Sequence, residues 1–348
     1  NQAQSPITIA HPMAVGGVTA TQDDLLKLAL KVFSGETLTA FTQTSVTTGR
    51  VMERTITAGK SAQFPVFGRT NAHYLKAGQS LDDIRENINQ GERVIVIDGL
   101  LTADCLIFDL DEFIAHYDFR SPYAAELGNA LAISHDGAVL AEMAKVAVET
   151  KENVAGDAAK GIDGTGLGGV VYGGAMPSGT TYGINKETGM QIYNILLQIK
   201  SKMSSNYVPV QGRTAYLMPD DFSALAAALD LLNNQYGANG TILEGNVIRL
   251  AGFDVIECPH MKRGGSDVAN VMQGDGHVFP TAYKAKNVIL AMHQSAVAVL
   301  RLKNLAMETG RRIDFQADQI VAKMAVGVGG LRPEAAFIGV IGEAKPAT

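Results

Sequence analysis

At 348 residues the chain fits one complex domain or two simple ones, and an apolar content of 46% excludes wholesale disorder. With 29 basic and 35 acidic side chains its net charge is −6, which excludes a protein whose main task is gripping DNA. Only 18% of its residues are charged, against about 25% in an ordinary soluble domain, so either other copies bury much of its surface or it is merely an Ala/Gly-rich monomer.

Residues 1–20 are small, polar and without periodicity, and read as an arm lacking the basic-then-apolar design of a secretion signal. Thr21 and Asp24 then stand in capping-box spacing, and Leu25, Leu28, Ala29, Val32 and Phe33 form one apolar stripe, predicting a helix that ends at Gly35. Residues 37–57 are rich in Thr and Val and lean toward strand. A turn at Ala58-Gly59-Lys60 leads to an extended run over 61–66, where Pro65 argues for an edge strand. Residues 93–98 are a second strand, so residues 50–93 fold back as a long, sparsely apolar hairpin. Such a hairpin is costly for a monomer and useful for a subunit that reaches across a neighbour.

The longest helix is expected over 122–149, with Ser121 as N-cap and Pro122 at N1. Leu127, Leu131, Val139, Met143 and Val146 give one apolar face, and Ile133, Leu140, Ala144 and Ala147 broaden it into a central spine about 42 Å long. Gly128 and Gly137 lower its helix propensity, which points to close approach of another backbone. The glycine-rich stretch 156–189 reads as a loop. A helix from about Asn185, a strand at 214–218, a helix at 219–232 and strands at 246–250 and 252–257 make an α/β layer. Long β-leaning runs over 288–325, broken at 314–318, and a last strand at 335–341 complete the chain.

Signals of chemistry are weak. Gly164, Gly166 and Gly169 satisfy GxGxxG, but a polar segment precedes them and Val170-Val171-Tyr172 follows; a dinucleotide fingerprint needs a strand before it and a helix N-terminus after it. Gly59-Lys60-Ser61 resembles the end of a phosphate loop, yet Arg54 stands where its first glycine belongs. The seven histidines show no metal-ligand spacing, and the acidic groups at 109–112 and 116–118 read as a solvated element boundary. Cys105 and Cys258 form no CxxC pair, which fits a reducing compartment. No apolar run reaches the roughly 20 residues of a membrane span. The expectation is a protein made in a cytoplasm, with no catalytic residues, cofactor or metal.

Charge is distributed in blocks. Residues 50–76 carry a net +4, residues 81–126 a net −8 and residues 284–332 a net +5. Arg50, Arg54, Lys60, Arg69 and Lys76, with Asp82, Asp83, Arg85, Glu86, Arg311 and Arg312, are therefore candidates for contacts between subunits. Pairing within one subunit is the alternative. Exposed pairs give only about 0–1 kcal/mol each, so they would set register more than affinity.

Long ordered strings carry a resemblance. They include Gly59-Lys60-Ser61-Ala62-Gln63-Phe64-Pro65-Val66, Ile97-Asp98-Gly99-Leu100-Leu101-Thr102-Ala103-Asp104 and Asp136-Gly137-Ala138-Val139-Leu140-Ala141-Glu142. Asn206-Tyr207-Val208-Pro209, His277-Val278-Phe279-Pro280 and Gly329-Gly330-Leu331-Arg332-Pro333-Glu334-Ala335-Ala336 continue them. Over residues 25–340 the chain closely resembles the major capsid proteins of T-seven-like short-tailed phages, which share the Hong Kong 97 phage fold. The resemblance implies an α+β fold with four parts: an N-terminal arm (1–49), an extended hairpin or E-loop (50–93), a P-domain (94–184 and 288–325) and an A-domain (185–287 and 326–348). It implies a virion protein that self-assembles into hexamers and pentamers of an icosahedral shell. Assembly would begin on a scaffolding protein in the host cytoplasm, and the shell would later expand around double-stranded DNA. A portal (connector) protein and decorating proteins would be further partners; no membrane is involved. Some family shells carry lysine–asparagine cross-links; Lys60 and Lys76 lie in the loop, but nothing marks an acidic catalyst, so none is expected. The rival readings are an encapsulin-like compartment and a nucleotide-binding enzyme.

Overall fold

The computed structural model describes residues 37–41, 44–67, 72–85, 90–109, 120–149, 168–236, 240–241, 246–247, 249–261 and 276–346. The helix expected at 21–34, Arg69, Glu86, Gly164, Gly166 and the acidic groups at 111–118 lie outside them.

Two sheets share one long helix. The first contains β1 (Met52–Thr55), β12 (Val297–Arg312), β13 (Ala317–Gly330) and β4 (Gly99–Phe108) in the order β1-β12-β13-β4. Its pairings are antiparallel except β1 with β12. The second has the order β5-β14-β11-β6-β10-β9, from β5 (Gly169–Tyr172), β14 (Ala336–Val340), β11 (Val288–His293), β6 (Arg213–Leu217), β10 (Phe253–Glu257) and β9 (Arg249–Leu250). Two small pairs remain, the hairpin β2 (Ser61–Phe67) with β3 (Gln90–Val96), and β7 (Gly240–Thr241) with β8 (Asn246–Val247).

Helix α1 (Arg120–Ala147) is the expected spine, of the expected length but begun two residues earlier. Ser121 is thus inside the helix, and Pro122 is its third residue, where the missing N–H costs no intrahelical bond. Its first half, through Leu127, Leu131 and Ala132, packs with Ile107, Met307, Ile320, Ala322 and Met324 of the first sheet. Its second half, from Ala138 to Ala147, enters the main core with the second sheet and the helices α2 (Lys186–Ser205) and α3 (Pro219–Tyr236). Residues 135–141 are buried all round, as a helix wedged between layers must be. Ile133 departs from the expected face and stays 36% exposed.

Local signals set the ends of the other helices. The Asn185 side chain caps α2 by accepting from the Thr188 N–H at 2.9 Å. Pro219 opens α3, with Asp220 and Asp221 in its first turn facing the positive end of the helix dipole. Gly189 lets the two helices touch, because a β-carbon there would lie 2.3 Å from the Ala224 carbonyl oxygen.

Four further expectations are corrected. Residues 37–41, read as β-leaning, are helical; buried Thr37 donates to the Ala124 carbonyl at 3.1 Å, and the turn presses on Gly128, so packing overrides local propensity. The strand expected over 93–98 is β3, which ends at Val96, and a separate strand not expected from the sequence, β4, begins at Gly99 in the first sheet, its mixed sequence showing one half-buried face. Residues 169–172, expected in a loop, form β5 because Val170 and Val171 complete an edge beside Ile338 and Gly339. Finally, Val288–His293 pairs with β6 and β14 in the six-stranded sheet rather than with the strands grouped beside it. Its six residues are all buried, which suits a central strand.

Candidate functional site

The hairpin β2–β3 is the first feature without a counterpart in a self-contained globule. In its register Gln63 faces Val94 and Ser61 faces Val96 on one side, while Ala62 faces Ile95 and Phe64 faces Arg93 on the other. The inner side buries Ala62, Phe64, Ile95 and Ile97 against Ala298, Leu300, Ala325 and Leu331. Two backbone bonds fasten its root: the Ile97 N–H donates to the Lys60 carbonyl at 2.7 Å and the Asp98 N–H to the Val326 carbonyl at 3.2 Å. Glycines in β13 make this seat. A β-carbon on Gly329 would lie 2.8 Å from Ile95, and one on Gly327 would run into the backbone above it.

The outer side has no such cover. Val94 is 50% exposed, Val96 44% and Phe67 63%, with Tyr74, Leu75 and Leu81 exposed on the connecting segment. A two-stranded sheet presenting apolar side chains to water on one face is a surface shaped for a partner.

The charged candidates divide. Arg50 donates to the Val46 carbonyl at 3.3 Å, and Arg54 to the Gln63 carbonyl at 2.9 Å while lying 5.4 Å from the Phe64 ring centre. Lys60 and Lys76 are exposed, and Lys76 sits in a turn closed by Gln79. Asp82 pairs with Arg85 at 2.7 Å within the turn that Asp83 ends. Arg311 grips both carboxylate oxygens of Asp109 and reaches Asp318 at 3.2 Å, so the acidic and basic blocks meet here inside one chain. Arg301–Glu53 (3.0 Å) and Arg93–Glu149 (2.9 Å) add further pairs within the chain. Arg312 bonds Gln319 at 3.3 Å and covers Phe315. Exposed Ile313 and Phe315 stand beside these arginines at the tip of the β12–β13 hairpin.

Two buried polar nodes escaped sequence reasoning. The Asp136 carboxylate accepts from the Ser45 hydroxyl (2.7 Å), the Val46 N–H (2.7 Å) and the Thr47 hydroxyl (2.5 Å), with His135 and His260 each 3.5 Å away. Burial would raise its pKa, but these donors outweigh it and hold the carboxyl below the ordinary aspartate range. In the second node the His277 ring lies 2.7 Å from Glu142 through Nδ1 and 2.7 Å from Asp98 through Nε2. Both nitrogens face carboxylate oxygens, so both must donate. Burial alone would depress its pKa; the two carboxylates prevail and lift it to about 9. The only sequence signal for either node was an isolated carboxylate inside an apolar helix.

Enzyme-like readings gain no support among the described residues. Gly169 of the glycine motif opens strand β5, not a helix N-terminus, so the phosphate cradle of a dinucleotide fold is absent there. Gly59-Lys60-Ser61 leads into a strand, again without a helix. Among the described residues, no group of three or more His, Cys, Asp or Glu side chains could hold a metal, and no helix is long and apolar enough to cross a membrane.

Comparison with known proteins places this architecture. The family profile described as Gp10A-like, major capsid protein, matches residues 63–340. The major capsid protein of Escherichia phage T7 is 46% identical over 330 residues, 92% of this chain and 93% of that protein. That of Enterobacteria phage T3 is 46% identical over 324 residues, 90% and 91% of the two chains. Among solved structures, the capsid of cyanophage P-SCSP1u superposes with a TM-score of 0.68 at 26% identity, covering 86% of this chain and 89% of that one. The α+β fold is that of the Hong Kong 97-type phage capsids, and the chain belongs to the Gp10A-like family of phage major capsid proteins.

Proposed function

We propose that the chain is a structural subunit, without catalytic activity of its own, that builds an icosahedral shell from hexamers and pentamers around double-stranded DNA. The observation that carries this is the uncovered face of the β2–β3 hairpin, rooted on its own sheet and exposing Phe67, Val94 and Val96 beside Ser61 and Gln63. A second copy is the occupant that fits it. In this reading residues 1–49 act as the arm, 50–93 as the E-loop, 94–184 with 288–325 as the P-domain, and 185–287 with 326–348 as the A-domain, the strand pairing shifting β5 and β11 toward the A-domain sheet.

Shell building needs many weak, reversible contacts, because strong early contacts trap misplaced subunits. Exposed Arg50, Arg54, Lys60 and Lys76 on or beside the hairpin suit that role, as do Arg69, Asp82, Asp83, Arg85 and Glu86 in its connecting segment, while Arg311 and Arg312 would steer a contact at the β12–β13 tip. The net charge of −6 suits a wall that encloses DNA without holding it. Assembly on a scaffolding protein in the host cytoplasm, entry of DNA through a portal, later expansion, and decorating proteins on the mature virion belong to the same proposal. Electron microscopy of the purified chain, with nuclease protection of enclosed DNA, tests it. Closed particles of uniform size are expected; a small soluble oligomer would overturn it.

A further inference from the structure

His277 sits where three moving parts of a shell subunit would meet. Asp98 lies in the link between hairpin strand β3 and sheet strand β4. Glu142 lies in the second half of α1, one turn from its C-terminal end. His277 itself precedes Phe279, which is buried in the main core. The imidazole bridges the two carboxylates at 2.7 Å on either side, and its side chain is only 7% exposed.

Two described neighbours, Lys145 and Val328, support the same arrangement. Lys145 of α1 bonds Glu142 at 2.6 Å and the Gly276 carbonyl at 2.7 Å. From the first sheet, Val328 of β13 donates its N–H to the same Asp98 oxygen at 3.3 Å. A cavity of about 420 Å³ lies beside the node, lined by Ser134, His135 and Ala138 of α1 and by Leu100 and Val326 of the sheet. Space next to a charged tie lets the hairpin root shift without first displacing packed side chains.

We propose that His277 is a proton-dependent clip that fixes the angle between the β2–β3 hairpin and the α1 spine. The clip rests on the reading of the hairpin as an assembly element. Protonated, the ring donates to both carboxylates and ties hairpin root to helix. Deprotonated, it keeps one proton, one carboxylate loses its donor, and Asp98 and Glu142 repel across the gap. The sign follows from the raised value: the tie is complete at neutral pH and is lost as pH rises through about 9. Glu142, held below its usual range against its burial by His277 and Lys145, sets the opposite limit on the acid side.

The test uses assembled particles of the full chain, imaged by electron cryomicroscopy at about pH 7.5 and about pH 10. In wild type the hairpin density over β13 should be ordered at the lower pH and lost or rotated at the higher. His277→Gln should show the altered hairpin already at pH 7.5, with no further change at pH 10. Glu142→Gln, which leaves His277 one carboxylate, should fall between them. If His277→Gln does not assemble, the wild-type pair of maps decides alone. A hairpin in one place in wild type at both pH values, or a native-like hairpin in His277→Gln at pH 7.5, would overturn the clip. Absence of wild-type particles would instead overturn the shell reading.

Discussion

The carbonyl oxygen of Val96 rests over the α-carbon of Gly327 so closely that a β-carbon there would lie 2.2 Å from it. The hairpin is thus mounted on its own sheet by backbone-to-backbone contact that only glycine permits. Gly327→Ala must lift the hairpin root or deform β13, at a cost of about 3 kcal/mol. Gly310→Ala is the control, since nothing lies within 4 Å of that position and its backbone is ordinary strand; its effect should stay within about 0.5 kcal/mol. Thermal unfolding of both variants checks the contrast, and equal melting would refute the glycine seat.

The outer face of the same hairpin makes the opposite prediction. Val94 and Phe67 contribute little to the isolated subunit because they are half or more exposed. Burying such a side chain against a neighbour yields about 1.5–3 kcal/mol, which is roughly tenfold or more in each contact's equilibrium constant. Val94→Thr keeps the β-branched shape, and Phe67→Ser removes the ring. Both should leave subunit melting nearly unchanged and lower particle yield about tenfold, read by sedimentation. A variant that assembles normally would show that the face is not an interface.

How much of this was legible in the sequence depended on the range of the cause. The spine, α2, α3 and β6 followed from periodicity and caps, because a helix stripe or a fully apolar run is written locally. The hairpin was visible for the same reason, its strands bounded by Gly59-Lys60 and marked as edge by Pro65. The helical turn at 37–41 was not, since Thr37 is held by Ala124 and Met307, which are 87 and 270 residues away. The role of Gly327 and Gly329 as a seat is not legible in the sequence, because the strand they accept, β3, lies some 230 positions earlier. The charge blocks are plain in the sequence, but that Arg311 turns toward Asp109 in its own chain follows only from the β12–β13 and β13–β4 registers together. His277 and Asp136 carry no local motif at all.

Cys258 offers a test of the core itself. It is fully buried beside the main cluster, and burial pushes its thiol up to about 12. Since the thiolate is the reactive form, native particles should resist alkylation at Cys258 at about pH 8. Denatured chain should be modified at once. Cys105 is half-buried, and burial with the neighbouring Asp104 charge raises it as well, so it should react slowly rather than not at all. Mass spectrometry of alkylated peptides distinguishes the two sites. Rapid labelling of Cys258 in intact particles would mean that the core between α1 and the second sheet opens.

Asp136 ties the segment at 45–47 to the spine, and its removal should be strongly destabilising. Asp136→Ala strands two hydroxyls and one N–H in a site where the carboxylate itself is fully buried. Leaving that many buried donors unpaired costs about 3 kcal/mol or more. Asp136→Asn keeps one acceptor oxygen and should cost less, about 1–2 kcal/mol. The pH dependence separates charge from shape. A carboxyl whose folded pKa is depressed stabilises the fold above its ordinary value near 3.8, and that contribution disappears as pH falls through the lower folded value. Wild-type melting should therefore hold into the ordinary carboxylate range and fall below it. Asp136→Asn should start lower at neutral pH and lose less on acidification, because it has no charge to neutralise. Parallel acid limbs in the two proteins would show that the site recognises the shape of the side chain and not its charge.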